Sequence, residues 1–448
     1  MEREKIEFEN QVLDRLAEKS HLFKDFFHKR EIIFQEFSNF CRTSKFNHLC
    51  EAVDGSTLET FFNGVFSFDI IDEFLNDPDV EDVIINGLSP IYVHKTSEGL
   101  VKTSKHFSSP EEIGLFIKKL FIFADRKDIK KINNLELPQI KGRVNIVYSP
   151  FGPQLTITRA KEKPLSIITL IEKGALNAQI AAQLWLYIEG LGIKPANMII
   201  AGGPGSGKTT LLNALFSFVP TDQRIVVIED TLELNTDMED NYSRLESDDE
   251  ISLADLVKNS LRMRMDRIVI GEVRGSEAKD LMTAMNIGKY CMGTLHASSS
   301  REAVIRLQNE PMNVPSMLVN LVDVFVIMNR YHLNNKIQRV ISELVETSGM
   351  EKQIVLLSPL WSCDLAALKF RQSQVTSSYR DKLAQASGKS IPEIIDELKQ
   401  REDLLQLLQD KGIREMKEVS RILQLYLKDP QALSDELGFP PKVRFTSL

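Results

Sequence analysis

Met198-Ile-Ile-Ala-Gly-Gly-Pro-Gly-Ser-Gly-Lys-Thr-Thr-Leu-Leu-Asn-Ala-Leu215 decides how the rest of the chain is read. Its first four residues form a short apolar run, the mark of a strand buried on both faces. Gly202 to Thr209 then fits the pattern G-x-x-x-x-G-K-[ST], and Leu211, Leu212 and Leu215 open a helical pattern. Strand, glycine-rich turn and helix start, in that order, make a phosphate cradle. Glycines let backbone N–H groups approach closely, the helix N-terminus favours negative charge, the lysine reaches the β- and γ-phosphates, and a hydroxyl sits on Mg²⁺. The candidate nucleotide-binding residues are therefore Gly203, Pro204, Gly205, Ser206, Gly207, Lys208, Thr209 and Thr210, with Thr209 as the Mg²⁺ ligand. A glycine-rich turn that binds nothing would not need both the flanking strand and the flanking helix.

Working outward, Arg224-Ile-Val-Val-Ile228, Arg267-Ile-Val-Ile270 and Met292-Gly-Thr-Leu295 are further apolar runs, each followed by a helical pattern. The alternation predicts an α/β domain with a mainly parallel, helix-flanked sheet. Acids fall where two of these runs end, as a sheet of this kind presents groups to bound phosphate and water at the C-terminal ends of its strands. In Glu229-Asp230-Thr231-Leu232-Glu233, Glu233 is the candidate for orienting and deprotonating an attacking water, against the commoner solvated-loop reading. In Gly271-Glu272, Glu272 has the form of a carboxylate acting on the magnesium shell through water, and Asp266, ahead of the strand, is the poorer choice. His296, just past Leu295, is placed to sense a γ-phosphate, although a lone histidine there is more often structural. Arg274 and the group Arg262, Arg264 and Arg267 suit transition-state phosphate charge as well as they suit surface salt bridges, and sequence leaves both open.

The rest of the 448 residues sets the frame. Forty-three per cent hydrophobic and 26% charged residues describe a folded chain, and a net charge of -8 argues against bulk attraction to nucleic acid or anionic lipid. No partner nucleic acid is expected. Four dispersed cysteines predict reduced thiols; Cys41, His48 and Cys50 have irregular spacing and no evident fourth ligand, so buried thiols are preferred to zinc. A charged start and the absence of a long apolar run predict a cytoplasmic protein with at most peripheral membrane association. The basic group Arg126, Lys127, Lys130 and Lys131 is read as a solvated helix end. Boundaries are expected as a helical N-terminal arm at 1–65, an α/β N-terminal domain at 66–165, a linker at 166–180, the P-loop domain at 181–350, and a helical C-terminal extension at 351–448. Ser390 and Glu393 stand at capping-box spacing in that extension.

Together the P-loop, Glu229 to Glu233, Gly271-Glu272-Val273-Arg274-Gly275 and Gly293-Thr294-Leu295-His296-Ala297 resemble the Walker A, Asp box, Walker B and His box of the type II/type IV secretion ATPase superfamily. Gly142-Arg143-Val144-Asn145 and Leu155-Thr-Ile-Thr-Arg159 resemble its arginine-bearing strands, so the likeness covers roughly residues 65 to 345. Trp185 to Glu189, Pro311 to Pro315 and the tail after Ser377 are most similar to the archaeal branch that drives archaella and pilus-like filaments. Three positions depart from the pattern: Lys289 replaces the first histidine of the His box, Met265 interrupts Arg-Pro-Asp, and Lys141 stands before Gly142. The four-cysteine zinc module of some relatives is missing too.

The resemblance implies a RecA-like P-loop NTPase core binding ATP and Mg²⁺ in a homo-hexamer. Glu233, Glu272 and His296 act from the core, and Arg143 and Arg159 reach a neighbour's nucleotide. It further implies a polytopic platform protein of the cytoplasmic membrane as partner, docked by the arm at 1–65, in secretion or in assembly of a pilus or archaellum. Rival readings are a slow ATP-dependent assembly switch and a nucleic-acid translocase. A GTPase is disfavoured because Asn335-Lys336-Ile337-Gln338 lacks the acid of a guanine reader.

Overall fold

Strand and helix patterns of the chain resolve into two compact units in a computed structural model, Met1–Glu162 and Lys163–Leu448. The structure describes residues 2–18, 26–43, 62–63, 66–140, 142–159, 164–230, 233–235, 241–247, 250–333, 336–364 and 367–439.

In the first unit, alternating apolar residues build a six-stranded antiparallel sheet from β1 (Val80–Asn86), β2 (Tyr92–Lys95), β3 (Gly99–Lys102), β4 (Ile132–Leu137), β5 (Gly142–Ser149) and β6 (Gly152–Arg159), in the order β3-β2-β1-β6-β5-β4. Val83, Ile85, Val144, Ile146, Leu155 and Ile157, two residues apart in their strands, are buried in one cluster with Ile113, Phe116 and Leu120 of the helix Pro110–Phe123. That helix starts where Ser109 accepts the Glu112 N–H, with Pro110 in the first turn. Helices Glu2–Ala17 and Phe26–Thr43, within the segment expected as a helical arm, pack on this sheet. Phe8, Val12, Leu13 and Leu16 of the first and Ile33 and Phe37 of the second are buried in the same cluster as the sheet. Cys41 is buried there, while His48 and Cys50 lie outside the described residues.

The second unit is built on nine strands: β7 (Met198–Gly202), β8 (Ile225–Glu229), β9 (Tyr242–Glu246), β10 (Arg267–Val273), β11 (Tyr290–Leu295), β12 (Val324–Leu333), β13 (Lys336–Glu351), β14 (Ile354–Asp364) and β15 (Lys369–Gln372). The order is β15-β14-β13-β12-β7-β11-β10-β8-β9, parallel from β12 to β9 and antiparallel from β12 to β15. The runs predicted as strands buried on both faces are β7, β8, β10 and β11, and all five residues of β7 and of β8 are buried. β7 thus sits between β11 and β12, with β11 between it and the Glu272 strand.

Two expectations need correction. Within 166–180, the helix Ile167–Glu172 buries Ile167, Ile168 and Leu170, so the segment is not bare linker; six residues are too few to show helical periodicity. Beyond 351 the chain first runs as β14 and β15, and its helices begin at Ser378. Register shifts between Leu344 and Val345 and between Thr347 and Gly349, where β13 pairs with β14, swap the buried face along that pair, which erases the period-two signal. The helices Ser378–Ser387, Ile391–Asp410, Met416–Lys428 and Pro430–Leu437 are also no appendage. Leu404, Leu405, Leu408, Ile422 and Leu423 join the cluster that holds Leu184, Trp185 and Ile188 of the helix Ala178–Glu189. The Ser390–Glu393 capping box is formed as its spacing predicted.

Candidate functional site

β7 ends at Gly202, and the chain turns through Gly205 (φ +65°) and Gly207 (φ +97°), left-handed values open to glycine, before the helix Lys208–Leu215. Gly202 has no room for a side chain: a Cβ would lie 2.3 Å from the Met328 carbonyl oxygen of β12. Ser206 is buried and its hydroxyl has no partner, while Pro204 and Gly205 are exposed. Lys208 Nζ donates to the carbonyls of Gly202 (3.0 Å) and Gly203 (3.1 Å) and faces His296 Nδ1 at 3.3 Å. Burial lowers the pKa of this ammonium, opposed by the charges of Glu272 and Glu233.

Glu272, near the end of β10, lies 2.8 Å from His296 Nε2 and accepts from Arg274 at 2.6 Å. Burial pushes its carboxyl up, but Arg274, His296 and Lys208 outweigh burial and hold it below its ordinary value. Arg274 also reaches Asp230 at 3.6 Å. His296 holds its place through Nδ1, 3.2 Å from the Gly202 carbonyl, and its own carbonyl accepts from Arg306. Lys208, His296, Glu272, Arg274 and Asp230 therefore form one continuous polar chain across the ends of β7, β11, β10 and β8. Glu233 joins it from the loop after β8, where Thr209 Oγ1 faces Glu233 Oε2 at 3.5 Å.

The sequence-derived residues thus divide by unit. Lys208, Thr209, Glu233, Glu272 and His296 converge in the second unit. Arg143 and Arg159 belong to the first, where Arg143 is exposed on β5 and Arg159 donates to the carbonyls of Leu75 and, at 2.9 Å, Asp77. Of the arginines left open, Arg267 is structural: it is buried and donates to Gln223 and the Ile188 carbonyl, each at 2.5 Å. Arg262 and Arg264 are exposed. Lys289 donates to the Met265 carbonyl at 2.9 Å and takes no part in the chain around His296.

Sequence reading missed Arg330 and Arg339. Arg339, on β13, donates Nε–H to the Gly205 carbonyl at 2.9 Å and lays its stem along Gly207. Arg330 Nη1, on β12, lies 3.3 Å from where a Cβ on Gly205 would sit. Nothing local marks either residue; only the adjacency of β12 to β7 and of β13 to β12 does. Glu229 opens the acidic segment in which sequence singles out only Glu233. It is buried, and burial raises its pKa to about 7, opposed by the N–H groups of Leu234 and Glu233 and by Arg244.

A phosphate cradle on one strand, with an acid-bearing strand one place removed, makes this an α/β protein of the P-loop class. The family described as type II/IV secretion system protein matches residues 132–389, more than half of the chain, and the chain belongs to that family. It is 39% identical over 228 residues to an uncharacterised protein of Methanocaldococcus jannaschii, covering 48% of this chain and 31% of that one. It is 27% identical over 278 residues to the conjugal transfer protein TrbB of Rhizobium radiobacter, covering 60% of this chain and 84% of TrbB. Among solved structures, the Yersinia pseudotuberculosis ATPase DotB is similar at a TM-score of 0.47 and 16% identity, covering 80% of this chain and 92% of that one. The chain thus spans about a third of the archaeal relative's length. Among the described residues no helix is long and apolar enough to cross a membrane.

Proposed function

We propose that this chain is a Mg²⁺-dependent ATPase with a RecA-like core that powers secretion, or assembly of a pilus-like or archaellum-like filament. In this reading it acts as a homo-hexamer on the cytoplasmic face of a polytopic membrane platform protein. The single observation that carries the reading is the polar chain from Lys208 through His296 to Glu272 and Arg274, closed against the P-loop.

The residues present fit the nucleotide. The buried Ser206 hydroxyl lacks a partner, and Lys208 is held by carbonyls of its own loop, contacts it can exchange for phosphate oxygens. Mg²⁺ takes few protein oxygens and completes its shell with water and phosphate, a role suited to Thr209 with Glu272 outside it. Bound Mg²⁺–ATP supplies an electrophilic γ-phosphate. Glu233 orients the attacking water and takes its proton, Glu272 fixes the water shell beside Thr209, and His296 links Glu272 to Lys208. Arg143, exposed on its strand, and Arg159 are the residues we assign to a neighbouring subunit's nucleotide.

ATP turnover per subunit, measured across protein concentration beside Lys208→Ala, tests this reading. Steeply rising turnover that vanishes in the variant is expected; concentration-independent turnover overturns the shared site, and turnover surviving in the variant overturns the assignment of hydrolysis to this P-loop. Arg339→Ala is expected to weaken binding of a fluorescent ATP analogue by roughly tenfold, the value of one charge-assisted contact. Unchanged affinity would remove Arg339 from the site.

A further inference from the structure

Glu229 closes β8 with a carboxylate that is 2% exposed, in a place where a buried acid needs a reason. Its Oε1 accepts two backbone N–H groups, from Glu233 at 3.1 Å and Leu234 at 3.0 Å. Its stem lies against β10 at Gly271, where a Cβ would come within 2.8 Å of Glu229 Cγ. Gly271 directly precedes Glu272, and its carbonyl accepts from Thr294 Oγ1 on β11 at 2.6 Å. One side chain therefore ties the backbone of Glu233 to the strand that carries Glu272. The same loop is held on its far side by Asn213, which accepts the Asn235 N–H at 2.8 Å, and by Arg244, which donates to the Leu234 carbonyl at 2.8 Å.

We propose that Glu229 is a positioning residue for hydrolysis: by accepting the Glu233 and Leu234 N–H groups while wedged on Gly271, it holds the Glu233 carboxylate over Thr209 and in register with Glu272. The inference rests on the reading of Glu233 as the group that activates water. In this role Glu229 acts through Glu233 and the backbone of its loop. Its removal therefore acts on the chemical step and spares nucleotide binding, which the P-loop backbone and Lys208 provide.

The test compares Glu229→Ala, Glu229→Gln, Glu233→Gln and the double variant Glu229→Ala/Glu233→Gln of the full chain, with Mg²⁺–ATP as the probe. Binding of a fluorescent ATP analogue and saturating turnover are read separately. Glu229→Ala is expected to lower kcat by on the order of 10²-fold, the scale of an ångström-sized misplacement, with the analogue's Kd within about threefold of wild type. Glu229→Gln keeps the acceptor oxygen and is expected to recover most of that loss. In the double variant the loss should match Glu233→Gln alone, because two residues acting through one group do not add. Equal losses in Kd and kcat, no recovery by glutamine, or a Glu229→Ala enzyme as fast as wild type would each overturn the positioning role. Full turnover in Glu233→Gln would instead overturn the assignment of Glu233, and the inference with it.

Discussion

Glu272→Gln is expected to lower saturating ATP turnover by about 10²- to 10³-fold while leaving nucleotide binding intact or tighter. The carboxylate lies 2.8 Å from His296 and 2.6 Å from Arg274, and Lys208 stands on the other side of that histidine. An amide keeps the volume but removes the negative charge on which these groups converge, so the cluster becomes more positive. A more positive cluster attracts phosphate at least as well, whereas the water shell loses its anionic anchor. Single-turnover hydrolysis beside equilibrium binding of a fluorescent ATP analogue separates the two effects. Turnover within fivefold of wild type would exclude Glu272 from the chemical step. The same variant divides the rival readings of the whole protein, since a motor loses its function in the cell and a switch held closed keeps it.

The second large effect is on stability. Arg401, 1% exposed, donates to Glu189 at 2.7 Å and to Glu397 at 2.8 Å and lies 4.7 Å from the Trp185 ring centre. Arg401→Ala leaves two buried carboxylates without their cation, at a cost of about 3–5 kcal/mol. That is a large part of a typical domain's stability of about 5–15 kcal/mol. Chemical denaturation should show a clearly lower midpoint for the second unit, and deletion of 390–448 should leave it unable to fold. A soluble, ATP-binding product of that deletion would show that the C-terminal helices are an appendage after all. The distinction matters because the chain beyond 389 lies past the segment matched by the family.

How much of this was legible follows from how far apart the cooperating residues lie in the chain. The P-loop was readable because strand, glycines, lysine and helix are contiguous, and each states its reason locally. β8, β10 and β11 were readable because strands covered on both faces are apolar without interruption, and their terminal acids stand out against that background. The strands β13 and β14 were not, since bulges exchange the two faces and the pattern cancels.

Local pattern therefore suffices for the parallel sheet, the glycine-rich turn after β7 and the residues Lys208, Thr209, Glu233, Glu272 and His296 that meet beside it. Tertiary structure decided the order of the strands, and with it everything that depends on which strand lies next to which. Because β12 pairs with β7 and β13 with β12, Arg339 reaches Gly205 across 134 positions of sequence. Because β8 pairs with β10, Glu229 finds Gly271. Because helix Ile391–Asp410 packs on helix Ala178–Glu189, Arg401 meets Glu189 across 212 positions. Periodicity and spacing record what a residue's near neighbours require of it, and these pairings join residues that share no local pattern.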